Sequence, residues 1–192
     1  LYHTGRIERD TLFGDLYVVG KFDPEFDDIA LDSLVRVVIN TGITAIEGGL
    51  YGDVSMMDSL YWGSGWSWDD TPYSFQHYLS QLMFCKGSVE ITAYPAQKDS
   101  IARLTYSPLS TFYTVAKQTV SNNPKARKVQ FTRNWLENGN EIRVRGNVSS
   151  IRKDWINMYK SQDFFMHTFR ERLGFKGITV PEYSDGECPS DS

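Results

Sequence analysis

Between Ser88 and Val148 the sequence settles into a two-residue period, and that limits its fold more than any other feature. The segments "SVEITAYP", "ARLTYSP", "TFYTVAKQTV", "KVQFTRNW" and "NEIRVRGNV" are short and rich in Val, Ile, Thr, Tyr and Phe. Several alternate polar with apolar residues, the pattern of half-buried strands. Glu137-Asn138-Gly139-Asn140 separates the last two, and Asn-Gly favours a tight hairpin because both residues tolerate positive φ. The expectation for this stretch is an antiparallel sheet.

Residues Gly14 to Asp53 follow a different rule. "DLYVVG" reads as a short strand, and Asp27 or Asp28 can cap a helix carrying Ala30, Leu31, Leu34, Val35, Val37 and Val38 at helical spacing. Gly42 stands at its C-cap, and "ITAIEGGLYGDV" returns as a second strand. "VVGKFDPEF" holds one glycine, so the start of this helix is not a dinucleotide site. A final helix is predicted over Ser161 to Leu173, where Phe165, Phe169 and Leu173 recur every four residues, with Gly174 as terminator. "GITVP" reads as a strand and "EYSDGECPSDS" as a polar tail with nothing to bury.

The predicted fold class is therefore α+β: a strand-helix-strand layer plus an antiparallel β-sheet subdomain, with the terminal helix against that sheet. The predicted boundaries are 1–87 (β-α-β with a Trp-rich loop), 88–150 (antiparallel β) and 151–192 (return helix, strand and tail).

A chain of 192 residues with 41% hydrophobic and 23% charged residues can bury a full core. Its formal net charge of -4, without a long basic stripe, argues against nucleic acid as partner. No apolar run is long enough to span a membrane. Cys85 and Cys188 lack metal-ligand spacing and are compatible with either a bridge or free thiols. His3, His77 and His167 are too scattered to spell a zinc site. No cofactor-binding, metal-binding or catalytic residue is assigned.

The most conspicuous motif is "YWGSGWSWDD", Tyr61 to Asp70. Indole faces stack on sugar rings, so Trp62, Trp66 and Trp68 are candidate glycan contacts. The competing expectation is that the indoles bury while Gly63 and Gly65 turn the backbone, which is the commoner fate of tryptophan. Asp69 and Asp70 are adjacent and cannot flank a glycosidic bond from opposite sides, so a capping role is expected of them instead. Ser150-Ile151-Arg152-Lys153 spells Ser-x-x-Lys and Ser121-Asn122-Asn123 spells Ser-x-Asn. Their order is inverted, Lys-Thr-Gly is missing, and Ser150 follows a strand rather than opening a helix. Both are read as chance matches, as is the glycosylation sequon Asn147-Val148-Ser149.

Taken as a series, "GDLYVVGKFDPEF", "GITAIEGGLYGDVS", "GWSWDD", "VEITAYPA", "SPLSTFY" and "NEIRVRGNV" resembles the bacterial serine D-alanyl-D-alanine carboxypeptidases and endopeptidases, the low-molecular-mass class C penicillin-binding proteins. The most specific part is "LYGD" (Leu50 to Asp53) followed by Gly65-Trp66-Ser67-Trp68-Asp69-Asp70. The sequence departs from the family at Phe22-Asp23-Pro24, where a glycine is lost, and at His77 to Leu82, which keeps only Ser80 and Leu82 of the usual pattern. The resemblance implies an insertion lying between the Ser-x-x-Lys and Ser-x-Asn motifs of a larger serine-type peptidase. It further implies a chain that is catalytically silent by itself, in an enzyme that forms an acyl-serine on peptidoglycan in the periplasm or elsewhere outside the cytoplasm. Peptidoglycan would be the partner through that enzyme, with the indoles as scaffold anchors.

Overall fold

The computed structural model describes residues 1–57 and 60–189. In chain order its elements are β1 (Tyr2–His3), β2 (Arg6–Glu8), β3 (Thr11–Phe13), β4 (Leu16–Val19), α1 (Asp28–Asn40), β5 (Ala45–Ile46), β6 (Leu50–Asp53), β7 (Ser88–Tyr94), β8 (Arg103–Ser107), β9 (Thr114–Ser121), β10 (Gln130–Arg133), β11 (Glu141–Val148), β12 (Arg152–Asn157), α2 (Ser161–Phe175) and β13 (Tyr183–Asp185). The fold is α+β. Two units share the chain: the first takes Leu1–Tyr61, Leu79–Gly87 and Lys160–Ser192, the second Trp62–Tyr78 and Ser88–Tyr159. These boundaries differ from those read in the sequence, because residues 62–78 and β12 group with the second unit and the first resumes only at Lys160.

In the first unit, β4 and β6 pair in parallel, Leu16 beside Leu50 and Val19 beside Asp53, as a strand-helix-strand unit requires. The Asp27 carboxylate caps α1 by accepting from the Ala30 N–H at 2.8 Å. Leu31, Val35 and Val38 form its buried stripe. The four-stranded sheet runs β1-β4-β6-β13, and a smaller one runs β2-β3-β5. Part of the supposed polar tail is thus a strand: β13 lies parallel to β6, and beyond it the Cys188 N–H donates to Asp53 at 2.8 Å. Backbone pairing needs no apolar side chain, which is why the pattern hid it. The tail residues 190–192 lie outside the described residues. "GITVP" contributes only a bridge, Thr179 beside Ala45.

Helix α2 groups with this first unit, not with the unit that holds the antiparallel sheet. Phe164 meets Phe84 at 5.2 Å and Phe165 meets Phe26 at 5.1 Å between ring centroids. Arg172 donates to Asp32 at 2.7 Å and pairs with Asp28, both on α1. Phe164, Phe169 and Leu173 are fully buried, each stabilising by about 2 to 3 kcal/mol relative to exposure. The helix runs through Gly174 and ends at Phe175, with Lys176 as its C-cap. There Gly177 takes φ +83°, its N–H returns to the Gly174 carbonyl, and the Ile178 N–H returns to Leu173 at 3.1 Å. This two-bond closure places buried Ile178 over Leu173.

The second unit holds the strands of the alternating region. One sheet, β12-β7-β8, is antiparallel throughout, with Val89, Ile91 and Ala93 fully buried on one face of β7. The other, β10-β11-β9, corrects the expectation of a purely antiparallel region: β9 runs parallel to β11, Thr114 beside Glu141 through Ser121 beside Val148. The physical reason lies in the connections. Residues 122–129 are fastened to the end of β11, where Asn147 accepts from the Asn123 N–H at 2.9 Å and donates to the Arg127 carbonyl at 2.7 Å. The chain then forms β10 on the far side of β11, leaving β9 on the other edge. Gly146, at φ +98°, permits that approach, because a Cβ there would lie 2.6 Å from the Lys128 carbonyl oxygen. Nor is the β10–β11 link a two-residue hairpin. A short helical turn, Trp135–Glu137, precedes Asn138, which takes the left-handed conformation at φ 51°.

Candidate functional site

Residues 62–78 belong to the second unit and form a succession of tight turns. The Trp66 N–H reaches the Gly63 carbonyl at 3.3 Å, a helical turn spans Trp68–Asp70, and the Thr71 hydroxyl donates to the Trp68 carbonyl. The Tyr73 N–H bonds Asp70 at 3.0 Å and the Gln76 N–H bonds Tyr73 at 3.1 Å. Such i to i+3 closures satisfy the backbone locally and free the side chains to point outward.

The segment is held from beneath by its carbonyls. Asn157, 1% exposed, donates from its backbone to the Pro72 carbonyl at 3.2 Å and from Nδ2 to the carbonyls of Tyr73 and Gln76. Its Oδ1 accepts from Arg133 Nε at 3.3 Å, while Arg133 Nη1 reaches the Gly139 carbonyl at 3.0 Å. Burial pushes the Arg133 guanidinium down to about 10, against an upward pull from Tyr159, so it remains protonated at neutral pH. Tyr78 is buried between Trp62 and Tyr159, edge-on to both at 5.8 and 5.2 Å.

This mode of attachment overturns the expectation that the tryptophans are buried anchors. Trp62 is 50% exposed, Trp66 38% and Trp68 69%. The Trp66 ring lies against Gly63, where a Cβ would stand 2.9 Å from it, and Trp68 leans on Trp135 at 5.0 Å. The sequence reading missed Tyr73 and Phe75, which stack at 5.6 Å and 15° and are 38% and 67% exposed. Asp69 and Asp70 sit inside the helical turn rather than capping one, and neither carboxylate takes part in a hydrogen bond or ion pair among the described residues. Aromatic faces beside unengaged carboxylates can stack on a ring while accepting hydrogen bonds from its hydroxyl or ammonium groups.

The remaining sequence candidates are not brought together. Lys153 on β12 pairs with Glu90 at 2.7 Å and lies 4.9 Å over the Trp155 ring, and Ser150 is exposed in the turn before it. Asn147 of the sequon serves the β9–β10 loop. Cys85 and Cys188 are not joined in a disulfide, and burial pushes the Cys85 thiol up to about 12. No cluster of His, Cys, Asp and Glu able to hold a metal ion occurs among the described residues. No helix among them is long and apolar enough to cross a membrane.

Residues 1–183 match the model of the D-Ala-D-Ala carboxypeptidase 3 (S13) family. A D-alanyl-D-alanine carboxypeptidase of Actinomadura sp. (strain R39) is 32% identical over 88 residues, 43% of this chain and 16% of that protein. The crystal structure of penicillin binding protein 4 from Haemophilus influenzae superposes with a TM-score of 0.73 at 19% identity, covering 96% of this chain and 43% of that one. The same protein complexed with a β-lactam gives a TM-score of 0.62 at 16% identity, over 98% and 40% of the two chains. At these identities the structural likeness is one of fold. The chain spans less than half the length of each of these relatives.

Proposed function

This chain belongs to the D-Ala-D-Ala carboxypeptidase 3 (S13) family, and from that premise we propose that it is a non-catalytic insertion within a serine-type peptidase that remodels peptidoglycan in the cell envelope. The observation that carries this reading is the fate of the one Ser-x-x-Lys match. A serine nucleophile needs a neighbouring base within hydrogen-bond reach, yet Lys153 turns to Glu90 at 2.7 Å. The acyl-serine chemistry then belongs to residues outside this chain, and acting alone it has no hydrolytic centre. Fluorescent penicillin tests this: the chain should remain unlabelled, and covalent labelling lost in Ser150→Ala would sink the proposal.

A second reading has its own support in the exposure of Trp62, Trp66 and Trp68. With their rings open to solvent, the aromatic segment is a contact surface for glycan or peptidoglycan rather than a spacer. All five tryptophans lie in the second unit, so intrinsic fluorescence reports on that unit alone. Titration with muropeptides or chitooligosaccharides should quench it saturably, and Trp68→Ala should weaken the response. A flat titration returns the segment to a scaffold role.

A further inference from the structure

The net charge of the chain conceals an uneven division. The first unit carries 9 Lys and Arg against 17 Asp and Glu, the second 11 against 7. Much of the second unit's excess lies in the loops 95–102, 122–129 and 149–151, together with the first residue of β12. Hydrogen bonds gather these loops at one end of the unit. Ser121 accepts from the Asp99 N–H and donates to the Ser100 carbonyl, both at 2.8 Å. Asn122 donates to the Ala96 carbonyl at 2.9 Å and to the Val148 carbonyl at 3.2 Å.

This end presents Lys98, Lys125, Arg127, Lys128 and Arg152, all exposed and none in an ion pair among the described residues. Its single carboxylate, Asp99, accepts from Asn123 at 2.9 Å. Between the cations stand Ile101 and Ile151, 65% and 63% exposed. Unpaired cations held on fastened loops call for an anionic partner without an ordering cost. The isoleucines decide which: a soluble phosphate polymer has no use for them, and no aromatic residue in these loops offers a nucleic-acid base a stacking face. An interface that is anionic at its surface and apolar a few ångströms below matches both features.

We infer that this loop cluster docks the second unit on the headgroups of an anionic bilayer, with Lys125, Arg127 and Lys128 meeting lipid phosphates and Ile101 and Ile151 entering the acyl boundary. The contact is peripheral and reversible, and it does not depend on the reading of the aromatic segment.

Sedimentation of the 192-residue chain with vesicles tests it. Vesicles in which about a third of the phosphatidylcholine is replaced by phosphatidylglycerol should carry the chain down, and pure phosphatidylcholine should not. Binding should fall as salt rises from about 0.1 M to about 1 M, where the Debye length contracts from about 10 to about 3 Å. The triple change Lys125→Glu, Arg127→Glu, Lys128→Glu should weaken binding about a hundredfold or more, and the three-glutamine version should weaken it less. Ile101→Ser with Ile151→Ser should lower the binding that survives high salt. An equal charge reversal in the first unit, Lys21→Glu, Arg36→Glu, Lys176→Glu, should leave binding intact. The inference is overturned if anionic vesicles do not bind, if phosphatidylcholine binds equally, or if both triples act alike. It is equally overturned if polyphosphate or nucleic acid binds while vesicles do not.

Discussion

Gly146 offers a stringent test of the fold, because its role separates into two contributions that a matched glycine isolates. Replacing Gly65 (φ +81°) by alanine adds only the strain of a left-handed backbone, since a Cβ there meets nothing within 4 Å. That strain costs about 1 to 2 kcal/mol. Gly146→Ala carries the same strain, and its Cβ also meets the carbonyl oxygens of Lys128 and Arg127 at 2.6 and 2.8 Å. Restoring ordinary contact requires the 127–128 backbone to retreat by roughly 0.6 to 0.8 Å, which breaks its bond to Asn147. Losing that bond and the adjoining bridge adds about 2 kcal/mol, for a total of about 3 to 4. Urea unfolding followed by tryptophan fluorescence reads the second unit, which holds both glycines. With a slope of about 1 to 2 kcal/mol per molar, Gly146→Ala should lower the midpoint by about 2 M and Gly65→Ala by about 1 M. Equal midpoints for the two variants would refute the claim that Gly146 exists to admit the loop.

Asn157→Ala should destabilise the second unit by about 3 kcal/mol, since several hydrogen bonds are lost and Arg133 is left buried with fewer partners. Limited proteolysis should then cut within residues 62–78 well before global unfolding. Burial alone would raise the Asp53 carboxyl, but the N–H groups of Cys188 and Ser55 outweigh it and hold the group below the usual carboxylate range. Because its pKa is depressed on folding, its contribution is complete above about pH 3.9 and lost as pH falls through the folded value. Asp53→Asn should therefore flatten the acid limb of the first unit's stability curve, and an unchanged limb would contradict the assignment. At pH 8, iodoacetamide should modify Cys188 much faster than Cys85, whose thiol burial holds protonated. Comparable rates would contradict its burial.

Helix α1 and strands β4 and β6 were legible because cap, periodicity and terminator agree within a few residues. Strands β7 to β11 were legible from alternation. The same rules were blind to β12, whose Arg152 and Lys153 face solvent while only Ile156 and Asn157 bury, and to β13, which pairs through its backbone. The parallel β9–β11 pair was hidden because strand direction depends on where a connecting loop is fastened, here Asn147, and not on the strands themselves. Composition misled at the aromatic segment. Tryptophan's usual fate is burial, but here the buried side chain is Asn157, far along the chain, and its hold on the carbonyls of residues 72–76 leaves the indoles outside. Gly174 was read as the terminator of α2, but the closing turn forms at Gly177, where the Ile178 N–H returns to the Leu173 carbonyl.

The interleaving of the units sets a timetable for the ribosome. The second unit has all its residues once Tyr159 is made, whereas the first must wait for α2 and β13. At about 5 to 20 residues per second, roughly 7 to 26 seconds separate Asp53 from the strand that lies beside it. Throughout that interval the outer rim of β6 stands uncovered, a template for stray pairing by neighbouring nascent chains. A stalled or prematurely released product would be sticky even with its tryptophan-bearing half finished.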